Sequence, residues 1–313
     1  MPARRGDALV HRSVASAARL IAGLLPLVML ACCNSVPTEQ LKTFTASLSA
    51  VQEADKPIFA DLAVAETRGQ GNRADPCPDM PPIPLPGGSK VRDGFCMQEL
   101  GTAAGDPPAT AQFKAGMDAL QLYTSTLNVL ASNANGTDAS AQLKTISGNL
   151  LGIASGLKLV GTAVGPEVSG VIEVLGALVD QAAAQLSKEE ARRLILKGAD
   201  TVHELIKKEK AAAPNIWNIV TSDWRDGLKR IGPHDIQGAK DLQSKVETYR
   251  MIVAKYVIML DRLDAAWSKV VDATSNPQPA TLAELAVLSG QLKTDSDTLT
   301  QAFATLRAGP ATK

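Results

Sequence analysis

The sequence predicts an all-α protein, an elongated antiparallel helical bundle with long coiled-coil-like helices and one disulfide-closed, proline-rich loop. Three observations predict this fold class. The 313 residues are 45% hydrophobic but only 4% aromatic, and the abundance of Ala, Leu and Val favours helices over sheets. Apolar residues recur three and four positions apart along most of the chain, which is the period of a helix buried on one face. No stretch has the clear series of strand patterns that a sheet would require.

The N-terminal segment has the pattern of a signal peptide. Four arginines precede an uncharged apolar stretch, Leu20 to Leu30, that is too short to span a bilayer comfortably. A small residue, Ala31, then stands before Cys32 and Cys33. This ending resembles the lipobox of bacterial lipoproteins, in which the cysteine is acylated and becomes the new N-terminus. The resemblance covers residues 1–33 only.

The resemblance implies an anchor and a location. Lipid attachment falls on Cys32, with Cys33 as the alternative, and residues 1–31 are removed as the signal peptide. The residue after either cysteine is not Asp, so the family's usual signal for retention in the inner membrane is absent. The resemblance therefore implies a lipid-anchored protein of the bacterial cell envelope, at the outer membrane and facing the periplasm.

The mature chain, residues 32–313, is predicted to form a single helical bundle domain. Removal of residues 1–31 takes away four of the 32 basic residues and one of the 32 acidic residues, which leaves a net charge of −3. Nucleic-acid binding requires a basic field, and this balance does not supply one. We therefore expect no nucleic acid among the partners.

Two further cysteines bracket a segment that cannot be helical. Cys77 and Cys96 lie within residues 69–107, where prolines and glycines are concentrated. An exported chain reaches an oxidising compartment, so the pair predicts a disulfide that closes this loop. The alternative, a redox or metal pair, lacks the C-x-x-C spacing and a nearby histidine.

Prolines, turns and capping residues divide the rest of the chain into helices. The first carries Asp55 in its apolar seam, either as a polar device that fixes helix register or at the rim of the seam. Ser187 begins a capping box, and Pro214 is predicted to begin a new, shorter helix that carries Trp217 and Trp224. The predicted helices cover 36–67, the stretch from Pro107-Pro108 to the turn at 133–138, 139–164, 166–186, 187 to about 212, the short one from 214, about 235–273, and the segment after 279.

Residues 145–186 are predicted to form a glycine-rich apolar hairpin. Small residues spaced four apart share one helix face and let another backbone approach closely. The longest uncharged run has 13 residues, below the length of a membrane-spanning helix. Three readings follow: a hairpin packed in the bundle core, a face for a partner protein, or a membrane-active hairpin. The last is loosely similar in architecture to the hydrophobic head of cytolysin-A-like helical toxins. The glycines of this face are Gly148, Gly152, Gly156, Gly161 and Gly165.

No residue pattern predicts catalysis, a metal or a cofactor. His203-Glu204 begins like the zinc-protease helix H-E-x-x-H, but Lys207 stands at the position of the second histidine. We therefore expect no enzyme and no catalytic residues. The sequence favours an envelope lipoprotein that acts as a binding or structural module through its helical surfaces, held to the membrane by its N-terminal lipid and bound to a protein of the envelope. The alternative function is a membrane-active or pore-forming protein that uses the 145–186 hairpin.

Overall fold

The computed structural model describes residues 36–71, 83–84, 90–91, 106–132, 137–160, 165–232, 234–276 and 279–308. Within these ranges the fold is all-α, as predicted, apart from one pair of two-residue strands, β1 (Ile83–Pro84) and β2 (Lys90–Val91), which pair antiparallel. The helices are α1 (Thr38–Gly71), α2 (Pro108–Ala131), α3 (Thr137–Val160), α4 (Gly165–Ala183), α5 (Lys188–Val220), α6 (Ser222–Arg230), α7 (Ile236–Ser275) and α8 (Pro279–Ala308).

Several sequence predictions concern positions outside these ranges. Both lipobox cysteines, Cys32 and Cys33, lie outside the described residues, as do Cys77, Cys96 and Gly161. The lipid anchor and the disulfide therefore stay predictions. The β1–β2 pair lies between Cys77 and Cys96 in sequence, inside the predicted loop.

The helices pack in two layers around one continuous apolar core. One layer runs α3, α2, α1, and the other runs α4, α5, α7; α8 packs against both α1 and α7 at one side, and the α3–α4 hairpin lies at the opposite side. The short helix α6 packs on α7. At the centre, Trp267 of α7 contacts Phe44 of α1 and Tyr123 of α2, with ring centroids 5.3 and 6.2 Å apart. Buried aromatic contacts therefore join both layers.

The predicted helix break at Pro214 is wrong. The structure continues α5 without interruption through Pro214 to Val220. Proline lacks the backbone N–H and removes one helical hydrogen bond. Buried side chains on both sides of it, including Ala213 and Ile216, hold the helix on the core. Tertiary packing thus outweighs the local preference, as it does for most helical stability.

Two predicted helix N-caps are confirmed by the structure. Ser187 caps α5, and its side chain accepts a hydrogen bond from the Glu190 amide. Asp235 caps α7 in the same way, through the Gly238 amide. From this cap α7 extends over 40 residues, a length of about 60 Å at 1.5 Å per residue. It is the longest helix in the described part of the chain.

Candidate functional site

Three polar side chains are buried in the apolar core within electrostatic reach of one another, and we call them the core acid cluster: Asp55, Glu209 and Tyr256. They come from α1, α5 and α7. Their exposed fractions are only 3%, 2% and 0%. Acidic residues are almost never buried to this extent without a partner. This cluster is therefore the most unusual chemical feature among the residues that the structure describes.

The cluster has space because of a glycine on a fourth helix. Glu209 places its carboxylate over Gly116 of α2, in the volume that a β-carbon at residue 116 would occupy. Any larger residue at position 116 would force this carboxylate to move. Gly116 therefore allows α5 to bury an acidic side chain against the backbone of α2.

Four oxygens of the cluster lack hydrogen-bond partners within the described part of the protein. They are Asp55 Oδ2, both carboxylate oxygens of Glu209 and the Tyr256 hydroxyl. A buried polar group without a partner costs about 1–3 kcal/mol, and more if it is charged. Ionised carboxyl groups would be especially unfavourable here.

Burial, together with repulsion from neighbouring acids, raises the pKa of both carboxyl groups and so favours their protonated forms. Desolvation, followed by the nearby charge of Asp118, raises the pKa of Asp55 to about 8. Desolvation and then the charge of Asp55 raise the pKa of Glu209 well above its ordinary value. Desolvation also raises the pKa of Tyr256, with smaller contributions from both acids. Near neutral pH the cluster is therefore able to hold protons inside the core.

Of this cluster, the sequence singles out Asp55 and gives no separate indication of Glu209. Asp55 was placed in the seam of the first helix, and the structure puts it in the core and not at the rim. Glu209 stands among lysines, a composition that is typical of a solvated helix face. Its spacing from Leu205, Ile206 and Ala212 follows the buried stripe of α5, and this spacing was the available signal.

His203 forms a surface pair in place of a metal site. Its Nδ1 lies 2.5 Å from Asp264 Oδ1 of α7, and the two side chains are 33% and 42% exposed. Lys207, at the position of the missing histidine, lies 3.7 Å from Glu204. Across the described ranges, no group of three or more His, Cys, Asp or Glu side chains could hold a metal ion.

The glycine row of α3 faces outwards. Gly148, Gly152 and Gly156 are exposed, and a β-carbon built at any of them meets nothing within 4 Å. Gly170 of α4 is open in the same way, and Gly165 is the first residue of α4. No helix of the described bundle therefore lies on this row. We call the exposed surface made by Gly148, Gly152, Gly156 and Gly170, with the exposed apolar side chains Leu151 and Val174, the glycine face.

A different glycine brings α3 and α4 together. Gly176 of α4 is buried, and a β-carbon there would stand 3.2 Å from the Leu151 side chain. The Ser147 hydroxyl donates a hydrogen bond to the Gly176 carbonyl, at 3.2 Å. The apolar side chains on the inner side of the hairpin, such as Leu150 and Ile172, are fully buried. The hairpin thus packs on the bundle through its inner side.

Comparison with known proteins assigns no role to the core acid cluster or to the glycine face. No family model, no curated protein and no solved structure matches the chain. None of the helices, over the residues described, is both long enough and apolar enough to cross a membrane.

Proposed function

We propose that the protein is a lipid-anchored protein of the bacterial envelope that acts as a binding module, and that its glycine face receives a helix of an envelope protein. The open glycine row of α3 is the observation that carries this proposal. The lipid on Cys32, or on Cys33, and a disulfide between Cys77 and Cys96 belong to the same proposal.

The glycine face suits a helix better than an irregular segment. Helices with ordinary side chains pack with their axes 8–10 Å apart, and a row of glycines permits a closer approach. From Gly148 to Gly156 the row covers about 12 Å of helix, at 1.5 Å per residue. Leu151 of α3 and Val174 of α4 are 44% and 49% exposed and supply apolar surface on the same hairpin. A partner helix would cover this apolar surface and contact the exposed backbone of α3.

The cost of the row in the free protein supports a role outside the bundle. Each glycine in an exposed helix interior destabilises the helix by about 1 kcal/mol relative to alanine. Packing inside the described bundle does not account for the three glycines, because nothing lies within 4 Å of their β-carbon positions. Close contact with a partner backbone would account for them.

The alternative function, insertion of the hairpin into a membrane, would require the hairpin to leave the bundle. Leu150 and Ile172 would then exchange the bundle core for lipid. The apolar surface of the bundle that these side chains now cover would then be exposed to water, which is unfavourable. The observed packing therefore favours the binding module.

A photocrosslinking experiment tests the proposal in the native envelope. A photoreactive amino acid replaces Gly152 in one version of the full-length protein and Gly290 in another. Gly290 of α8 is a matched control, because it is an exposed helical glycine that also has nothing within 4 Å of its β-carbon position. We expect a discrete protein adduct from position 152 only, and we expect Gly156→Leu to abolish it.

Two outcomes would count against the proposal. Equal adducts from positions 152 and 290 would indicate contact without a specific surface. Adducts to lipid alone from position 152 would instead favour the membrane-active alternative. Circular dichroism of each variant checks that the fold is retained, which we expect because both positions are open to solvent.

A further inference from the structure

The core acid cluster brings acids together without a compensating cation. The charged groups that act on Asp55 are Asp118 and Lys114 of α2, with Glu53 and Lys56 on its own helix; burial outweighs both lysines. The charge of Asp55 acts on Glu209, and the charges of both acids act on Tyr256 of α7. No basic side chain hydrogen-bonds to the unpartnered oxygens in the described part of the bundle.

The backbone of two contributing helices is weakened near the acids. Pro57 follows Asp55 by two residues inside α1, and Pro214 follows Glu209 by five residues inside α5. Each proline leaves one backbone carbonyl of its helix without the usual amide partner, and helices bend most readily at such positions. A change in packing at the cluster can therefore be taken up by bending of α1 and α5.

We propose that the core acid cluster makes the packing of α1, α5 and α7 depend on pH: the three helices stay together while Asp55 and Glu209 are protonated, and they loosen when these carboxyl groups lose their protons. The step is a simple acid dissociation, in which each carboxyl group releases one proton to solvent. The resulting carboxylates must then either stay charged in an apolar core or reach water by movement of the helices.

The direction of the effect follows from proton binding. Asp55 and Glu209 have raised pKa values in the folded protein and ordinary ones in the unfolded chain, so the folded state binds more protons between these values. Stability from this source is complete below the ordinary pKa values. It is lost as the pH rises towards the folded pKa of Asp55, at about 8.

The test measures thermal unfolding of the full-length protein in detergent between pH 5 and pH 9. We expect the midpoint of wild type to fall by roughly 5 °C or more as the pH rises, since loss of even a modest stabilisation shifts the midpoint by several degrees. Glu209→Gln and Asp55→Asn should each flatten this dependence. The control, Glu204→Gln on α5, changes an exposed carboxylate beside Lys207 and Lys208 and should keep the wild-type slope.

Several outcomes would overturn the proposal. One is an unfolding midpoint of wild type that does not change with pH. Another is a dependence of the midpoint on pH that is unchanged in both Glu209→Gln and Asp55→Asn. A calcium or magnesium ion that raises the midpoint at pH 9 in wild type but not in Glu209→Gln would make the cluster a cation site instead.

An infrared measurement keeps the test decisive if the variants fail to fold. Protonated carboxyl groups have a carbonyl band that carboxylates lack. Wild type should show this band at pH 7, and the contribution of Asp55 should fade as the pH passes about 8, at the upper end of the range in which the midpoint falls. Absence of the band at pH 7 would contradict the proposal.

Discussion

The carboxylate of Glu209 on α5 lies over the backbone of Gly116 on α2, and seven residues further along α2 the arrangement is reversed. There, Tyr123 of α2 places its hydroxyl over Gly198 of α5. This hydroxyl donates a 2.7 Å hydrogen bond to the Leu194 carbonyl. The two antiparallel helices therefore each provide a glycine that admits a large polar side chain of the other.

Replacement of Gly116 by alanine should destabilise the protein. The new methyl group would occupy the position of the Glu209 carboxylate, which is enclosed on all sides and has little space to move. Overpacking of this kind costs about 1–3 kcal/mol. Urea denaturation at pH 6 measures this loss in the free energy of unfolding. Gly148→Ala on the exposed row is the matched control. An unchanged free energy of unfolding for Gly116→Ala would mean that α2 and α5 can separate without cost.

Gly198→Ala and Tyr123→Phe should show coupled effects on stability. The alanine side chain would displace the Tyr123 hydroxyl, while Tyr123→Phe alone removes one hydrogen bond and costs about 1 kcal/mol. In the double variant the phenylalanine ring has lost the atom nearest to residue 198. The loss of stability in the double variant should therefore be smaller than the sum of the losses in the two single variants. A double-mutant cycle by urea denaturation measures this difference. Strict additivity would refute the direct contact.

Alanine at Gly152 should stabilise the isolated protein. Open space surrounds the β-carbon position, so the substitution brings the helix propensity of alanine without a clash, a gain of about 0.5–1 kcal/mol. Gly290→Ala on α8 should give a similar gain, and thermal unfolding of both variants provides the measurement. A loss of stability at residue 152 but not at 290 would show that the glycine face is already covered, for example by a second copy of the chain.

The sequence predicted the helices well because their apolar periodicity and caps are local signals. Ser187 and Asp235 could be recognised as N-caps from a few neighbouring residues, and both cap their helices. The helix break predicted at Pro214 was wrong because the burial of α5, a property of the whole bundle, decides whether that helix continues. Gly116 and Glu209 depend on a contact between residues 93 positions apart, and no local pattern contains such a contact.

The proposed disulfide can be tested separately from the binding surface. Removal of both cysteines, by Cys77→Ser and Cys96→Ser together, should lower the free energy of unfolding by about 3 kcal/mol, the value of the chain-entropy model for a loop of this size. Urea denaturation with and without reductant measures the effect, and reductant should affect wild type only. Wild type that reacts with a thiol reagent at both cysteines before reduction would exclude the disulfide.

The proposed lipid attachment, at Cys32 or at Cys33, determines how many thiols the mature protein would keep. Acylation of Cys32 leaves Cys33 as a free thiol beside the membrane, whereas acylation of Cys33 removes Cys32 with the signal peptide. Intact mass of the mature protein should correspond to cleavage before Cys32, and Cys32→Ala should leave an unlipidated precursor. A normally lipidated Cys32→Ala protein would assign the anchor to Cys33. Because α1 begins at Thr38, either cysteine is separated from the bundle by only a few residues, so the lipid should hold the bundle close to the membrane surface.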